Sequence, residues 1–369
     1  MQYTPVILWT DALLYILAAA GVFFAIMIYR RPHLRQAWRK IIKNKLALVS
    51  FIVLLFYISI GLLDSIHFRA DAYGVSVESL FDRLVSPLGN QDEESYSAPF
   101  ATHLYTKNFI LLNDGILHYD YPPLHYFHFL GTDKVGQDVL YETLKSIRTG
   151  LVIGTLTTLV ILPFALFFGL IAGYFSGWID DIVQYVYTTL SSIPDVLLIA
   201  AAVLALQLFI VNHPDTFPTL SQRADMRLFA LCVILGITSW TGLCRLLRGE
   251  TLKLRELDYV QAARALGTSS LRILTKHILP NVMHIILITV VMSFSALVLA
   301  EAVLTYVGVG VDPTTFSWGN MINASREELA REPVVWWPLL SAFAFMFPLV
   351  IAANLFADAV RTVLDPREY

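Results

Sequence analysis

The chain is predicted to be an all-α membrane protein, a polytopic helical bundle, and three observations lead there. Hydrophobic residues fill 56% of the 369 positions and charged residues only 15%, against roughly a quarter charged in soluble domains. Mean hydropathy is +0.62. The apolar residues gather into seven runs, at about 12–29, 46–63, 150–172, 183–206, 228–247, 283–307 and 337–357, each near the ~20 residues that cross ~30 Å of hydrocarbon. A net charge of −3 argues against a nucleic-acid-binding face, so the expected surroundings are membrane lipid and no nucleic acid.

The first run lacks a basic region before it, and "IMIYRRPHLR" after it offers no small-residue cleavage pattern, so it is expected to stay as a helix. A basic loop follows, with Arg30, Arg31, Arg35, Arg39, Lys40, Lys43 and Lys45. A second cluster, Arg245, Arg248, Lys253, Arg255, Arg264, Arg272 and Lys276, follows the fifth run, whereas short loops of opposite phase hold only Arg223, Arg227, Arg326 and Arg331. Lys and Arg accumulate on the cytoplasmic side of short loops. Both clusters are therefore expected in the cytoplasm, with the N-terminus outside and the C-terminus, carrying Arg361 and Arg367, inside. The "GWIDD" turn at 177–181 is inside by parity but has no base.

Residues 64–148 are then expected outside as a small cap. "VESLFDRLVSPLGNQDEESYSAPF" reads as exposed loop, and "NFILLNDGILHYD" as two short strands around an Asn-Asp-Gly turn. His118, His125 and His128 in "LHYDYPPLHYFHFLGTD" could in principle collect a transition metal. The paired prolines argue against one helix presenting them, and aromatic-rich stretches are common beside membranes, so no metal site is assigned. Cys232 and Cys244 match no metal or redox spacing and read as packing residues.

One stretch does not fit a greasy bundle: "VQAARALGTSSLRILTKHILPN", residues 260–281. Val260, Ala263 and Leu266, then Leu271, Leu274 and Ile278, recur at three- and four-residue steps, so each half can be an amphipathic helix. Gly267 separates the halves, "GTSS" offers Ser or Thr caps for the second, and Pro280 suits the junction with the next span. The expected product is a helix, a bend and a second short helix at the membrane surface, with Ala262, Ala263 and Gly267 as a flat patch. The pattern alone leaves two readings open: an interfacial helix pair among headgroups, or a docking surface.

The spacing of Ala262, Ala263, Gly267 and "ILP" resembles the cytoplasmic "EAA" loop of ATP-binding-cassette (ABC) importer permeases, and "HILPN" is similar to the peptide and nickel branch of that family. Gln261 stands where the family usually has Glu, and His277 where Ile is frequent. "WRKIIKNKLALVSFIVLLF", "LGTDKVGQDVL", "GLIAGYFSGWID", "EAVLTYVGVGVDPTTFSWGN" and "ADAVRTVLDPRE" resemble further stretches of that branch, in order. Departures are Gln137 in place of Arg, "VQYVY" in place of a Met-Arg pair, an extra first helix, and an enlarged external segment from about Asp71 to His128.

The resemblance implies a six-helix ABC importer permease core plus one extra N-terminal transmembrane helix, in a bacterial inner membrane. The expected divisions are 1–45 (extra helix and basic loop), 46–63 (first core helix), 64–148 (external insertion) and 149–369 (core, with the coupling loop at about 248–281). It further implies a homologous second permease, two ATPase subunits and an extracytoplasmic solute-binding protein. Gln261, Ala262, Ala263, Gly267, His277, Leu279 and Pro280 would form the ATPase-coupling site. No GxxxxGK[ST] loop is present, so the chain is expected to be no enzyme and to hold no cofactor, ATP and Mg being bound by the partners.

Ionisable groups inside spans are costly and mark pathway candidates. Asp195, after Pro194 in the fourth run, lies about 12 residues into it, ~18 Å at 1.5 Å per residue. The pair is a candidate for the translocation path, a carboxylate satisfied by neighbouring helices being the alternative. Glu301 falls near the outer end of the sixth run, where a structural hydrogen bond is expected. An ion-coupled secondary transporter would show inverted repeats and mid-span charge; here the halves look unlike. An intramembrane enzyme would need paired catalytic groups within the spans, and none is found. The expected cargo is short peptides, with nickel or peptide-like antibiotics next.

Overall fold

The computed structural model describes residues 4–6, 8–30, 32–69, 77–89, 91–111, 117–213 and 219–364. Strand β1 (Thr4–Val6) leads into α1 (Trp9–Arg30), α2 (Pro32–Lys43) and α3 (Lys45–Asp64). Next come β2 (His67–Arg69), β3 (Val77–Ser79), α4 (Leu80–Leu84), α5 (Ser86–Gly89), β4 (Asn108–Leu111) and β5 (Leu117–Asp120). The rest is helical: α6 (Val139–Phe175), α7 (Trp178–Ser192), α8 (Asp195–Asn212), α9 (Leu220–Ser239), α10 (Thr241–Arg255) and α11 (Asp258–Ala265). Then follow α12 (Ser270–Ile273), a π turn (Leu274–Ile278), α13 (Leu279–Tyr306), α14 (Trp318–Glu328) and α15 (Trp337–Leu364).

Among the described residues, six helices are long and apolar enough to cross a membrane: 45–64, 139–175, 195–212, 220–255, 270–306 and 337–363. The expected first run is present as α1, whose described apolar stretch is Trp9–Ala19. The fourth run is corrected: 183–206 is not one helix but the end of α7, a break, and the start of α8. Pro194 cannot donate an N–H and crowds a helical residue before it. Ile193 is accordingly extended (φ −89°, ψ 131°), and Asp195 falls in the first turn of α8. Its expected depth of twelve residues into a span is therefore wrong.

α6, 37 residues long, is the axis of the bundle. The Asp138 side chain caps it, accepting from the N–H of Leu140 and Tyr141. Its far half meets α10 backbone to backbone, and small residues permit the approach. A Cβ at Gly169 would stand 2.9 Å from the Cys244 carbonyl oxygen, and one at Gly173 2.7 Å from that of Arg248. One core cluster joins α3, α6, α13, α14 and α15 through Tyr57, Ile147, Trp318 and Leu349. Another joins α6, α7, α10, α11 and the α12–α13 junction through Ala172, Val183, Leu247, Val260 and Ile278. A third seats Leu14 of α1 against α6, α8 and α9.

Between α5 and α6, β4 and β5 pair antiparallel with Phe109 opposite Tyr119, the two short strands expected there. The Asn-Asp-Gly turn between them, the Asp71 boundary, the His118 side chain and Arg367 lie outside the described residues. A three-stranded sheet β1-β2-β3, with Phe68 opposite Pro5 and Glu78, was not expected. Three-residue strands are too short for period-two alternation to show.

Candidate functional site

α11 has two unlike faces. Val260, 2% exposed, and half-buried Ala263 pack inward with Ile273, Leu274 and Ile278. Gln261 and Ala262 face outward, followed by Leu266 at 85% exposure and, beyond the bend, Leu271 at 74%. The helix ends in a Schellman arrangement, Thr268 N–H donating to the Ala263 carbonyl (3.1 Å) and Gly267 N–H to that of Arg264 (3.0 Å). Gly267 has φ +76°, and a Cβ there would meet nothing within 4 Å. Backbone conformation, not crowding, makes glycine suitable.

Three expectations for this stretch are corrected. Leu266 and Leu271 do not point into the core, so the patch is not flat; two leucines project beside Gly267. The second half is not a separate short helix, because Ser270–Tyr306 is continuous through the π turn into α13. Ser269 sits at the N-cap of α12 without a side-chain cap hydrogen bond. The π turn has a local cause. Pro280 has no N–H to return to residue 276, and Leu279 N–H reaches back five residues to the Leu274 carbonyl.

The predicted residues hold this shape together. The Gln261 amide donates to the Arg255 carbonyl (3.1 Å) and to Glu256 (3.4 Å), bracing the α10–α11 corner. Asn281 donates to the Tyr259 hydroxyl (3.0 Å) and the His277 carbonyl (2.6 Å), tying α11 to the start of α13. The half-buried His277 ring lies 6.2 Å from that of Tyr259; Leu279 is half-buried and Pro280 exposed.

Residues counted only as orienting charge prove to be structural. Arg248 donates to both oxygens of Asp180, at 2.5 and 2.7 Å, and Arg255 donates to the Tyr174 carbonyl (3.3 Å) and to Ser176. The Arg248 hydrogen bonds hold the Asp180 carboxyl below its ordinary range. α10 is thus locked to the α6–α7 turn immediately before α11 begins. The base-free "GWIDD" turn could have suggested this, since its aspartates had no counter-charge nearby in sequence.

A second polar surface runs along α7. Asp181, Gln184, Tyr185, Thr188, Thr189 and Ser192 line an open cavity of about 470 Å³. Five of them are exposed and Gln184 is half-buried. The spacing i, i+3, i+4, i+7, i+8 and i+11 from Asp181 is legible in "DIVQYVYTTLSS", within a segment that hydropathy reads as an apolar run. Pro194 and Asp195, both exposed, lie just beyond its end. Glu301 is buried and accepts from the Thr305 hydroxyl at 2.9 Å. His125 lies 3.1 Å from Glu93 and His128 2.8 Å from Asp138; among the described residues no cluster suited to a metal is found.

The chain is thus a helical membrane bundle with a braced, outward-facing helical turn between two of its spans. The family described as "Binding-protein-dependent transport system inner membrane component" matches residues 165–368, and "N-terminal TM domain of oligopeptide transport permease C" matches residues 33–69. The chain belongs to this family of inner-membrane transport components. Membership sets aside the ion-coupled secondary transporter. The chain is 31% identical over 239 residues to the oligopeptide transport system permease protein OppC of Mycobacterium tuberculosis (strain H37Rv), covering 65% of this chain and 76% of that one. It is 25% identical over 341 residues to the dipeptide transport system permease protein DppC of Bacillus subtilis, 92% of this chain and 88% of that one. The glutathione transport system permease protein GsiD of Pectobacterium atrosepticum is 31% identical over 241 residues, 65% and 73% of the two chains. α1 lies outside both matched segments.

Proposed function

We propose that this chain is one permease of an ATP-driven importer of short peptides. It pairs with a homologous second permease, receives cargo from an extracytoplasmic solute-binding protein, and is driven by two ATPase subunits that supply ATP and Mg sites. Peptide is preferred to nickel or peptide-like antibiotics because the relatives above are named for oligopeptide, dipeptide and glutathione transport. The N-terminus would lie outside and the C-terminus in the cytoplasm, on the placement of the two basic clusters.

The observation that carries this reading is the projection of Leu266 and Leu271 around Gly267 from a helix whose other face is core. Apolar side chains this exposed, on a turn between spans, suit a cleft on a partner. The coupling site is then Gln261, Ala262 and Gly267 for contact, with Ala263 seating α11 on the core and His277, Leu279 and Pro280 fixing the angle at which the turn meets α13. Displacement of α11 would pass through Val260 and Ile278 to α6, α10 and α13, a packed element that can adopt two arrangements. The α7 polar face, with Pro194 and Asp195 at its end, is assigned to the cargo path. A hydroxyl-lined surface is costly against lipid and suits a water-filled conduit.

Co-purification of the co-expressed ATPase subunits tests the reading. The native chain is expected to retain them and Leu266→Asp to lose them, a change of ~2 kcal/mol or more for a central apolar contact. Exposure of residue 266 means that the thermal unfolding of the variant should match the native chain. Retention of the ATPase by Leu266→Asp, or transport of peptide by the native chain alone under an ion gradient, would refute it.

A further inference from the structure

At the other end of α3 from the cap, α2 carries a surface that the transport reading does not use. From residue 30 to 45 the sequence has seven bases and no acid. Arg35, Arg39 and Lys43 follow one another at four-residue intervals, and all three are exposed, as are Lys40 and Lys45. Like charges at that spacing repel along a helix. The arrangement is stable beside something that brings negative charge. On α15, which packs against α2, Asp358 is exposed and lies one turn before Arg361.

The opposite face of α2 is apolar and meets the start of α3 and the end of α15. Ile41, Ala47 and Ala359 are buried together. Above them Trp38, Phe51 and Phe356 form an aromatic cluster, with centroid separations of 6.3, 6.2 and 5.7 Å. The cluster does not close. A cavity of about 90 Å³ remains, lined only by apolar side chains, among them Trp38, Ile42, Phe51 and Phe356. Ile42, Leu46, Phe51 and Ile52 are exposed around it, and α3 is long and apolar enough to lie in hydrocarbon. The slot therefore opens towards the acyl chains, and Arg39 and Lys43 directly follow its lining residues Trp38 and Ile42 along α2.

We propose that the α2–α3–α15 corner is a binding site for an anionic phospholipid. An acyl segment fills the slot against Trp38 and Phe356, and the headgroup phosphate is held by Arg39 and Lys43 with Arg35 and Lys45 beside them. A second copy of the chain would bring the same positive charge to the rim. A soluble acidic protein would leave the slot open to the bilayer. A phospholipid with a negative headgroup satisfies both halves at once. The bound lipid would hold α2 flat on the surface and so set the angle between α1 and α3.

Trp38 lies in the slot and reports its occupancy. The full chain would be reconstituted in phosphatidylcholine vesicles containing a fixed fraction of either phosphatidylglycerol or phosphatidylcholine with brominated acyl chains. The Trp38 signal is taken as native minus Trp38→Phe. Brominated phosphatidylglycerol is expected to quench it several-fold more strongly than brominated phosphatidylcholine. The double variant Arg39→Glu/Lys43→Glu should remove that preference, weakening it about fivefold per reversed cation, since each interfacial base contributes ~1 kcal/mol. Soluble glycerol phosphate should not displace the quencher; displacement would mean a headgroup site without an acyl slot. Equal quenching by the two lipids in the native chain, or an unchanged preference in the double variant, overturns the proposal. Both positions are exposed, and matching thermal unfolding of native and variant chains separates lipid loss from misfolding.

Discussion

The two ends of α6 handle charge in opposite ways. Around its first turns the acids and bases close on one another. Asp11 meets Arg148 at 2.5 Å and His67 at 2.8 Å, Asp82 meets Lys145 at 2.8 Å, and Asp225 accepts from the Thr10 hydroxyl and, at 3.0 Å, from the Trp9 N–H. This is the same network that fastens α1, which lies outside the family matches, to α6 and α9. At the far end Arg248 and Arg255 lock the α6–α7 turn, but Arg264, Arg272 and Lys276 on the bent segment remain exposed beside Leu266 and Leu271. One end pairs its charges across α1, α6 and α9. The other leaves polar and apolar groups outward.

The contrast can be broken most forcefully at the closed end. Asp11→Ala leaves Arg148 buried without its nearest counter-charge, and removing one partner of a buried pair costs about 3–5 kcal/mol. Thermal unfolding in detergent should show the loss, and an unchanged midpoint would mean that α1 is not anchored as described. On the α7 face, Thr188→Trp fills the open cavity. Peptide uptake should fall about tenfold or more, equivalent to ~1.4 kcal/mol of added barrier, while ATPase subunits still co-purify; full uptake would remove this face from the path. Asp195→Asn should lower uptake of cationic peptides more than of neutral ones.

At the open end the effects on stability are smaller. Gly267→Ala meets no neighbour but takes a left-handed conformation costing ~1–2 kcal/mol for a residue with a Cβ. ATP hydrolysis stimulated by cargo should fall modestly, with the fold intact. Smallest is the pH response of the Asp180–Arg248 pair, which is partly exposed and so contributes at most ~1 kcal/mol. The Asp180 carboxyl is held below its ordinary value of 3.8. Its contribution is therefore complete above that pH and is lost as pH falls through the lower folded value. Acid unfolding of Asp180→Asn should lack this component; identical profiles would show that the pair contributes nothing.

What could be read from the sequence follows from the length of each signal. Long apolar runs and the Ala-Ala, Gly, Pro spacing located the spans and the bent segment, because twenty residues of composition or a positive-φ glycine leave few alternatives. Short-range choices were not legible. Periodicity assigned Leu266 and Leu271 to the core along with Val260 and Ile278, although the Schellman turn at Gly267 rotates the chain so that only the latter two reach it. Hydropathy ran through Pro194 and hid both the helix break and the α7 polar face. The pairing of Asp11 with Arg148 spans 137 positions, and no local pattern announces it.

The central claim is that the Gly267 bend meets an ATPase from the cytoplasmic side. Cys232 and Cys244 are buried, so Leu266→Cys introduces an accessible thiol in an otherwise shielded background. In the assembled transporter this thiol should crosslink to an ATPase subunit, with a yield that changes on ATP binding, and should react with an impermeant maleimide in inverted vesicles but not in intact cells. Labelling from the cell exterior, or no crosslink in an assembled complex, would contradict the account.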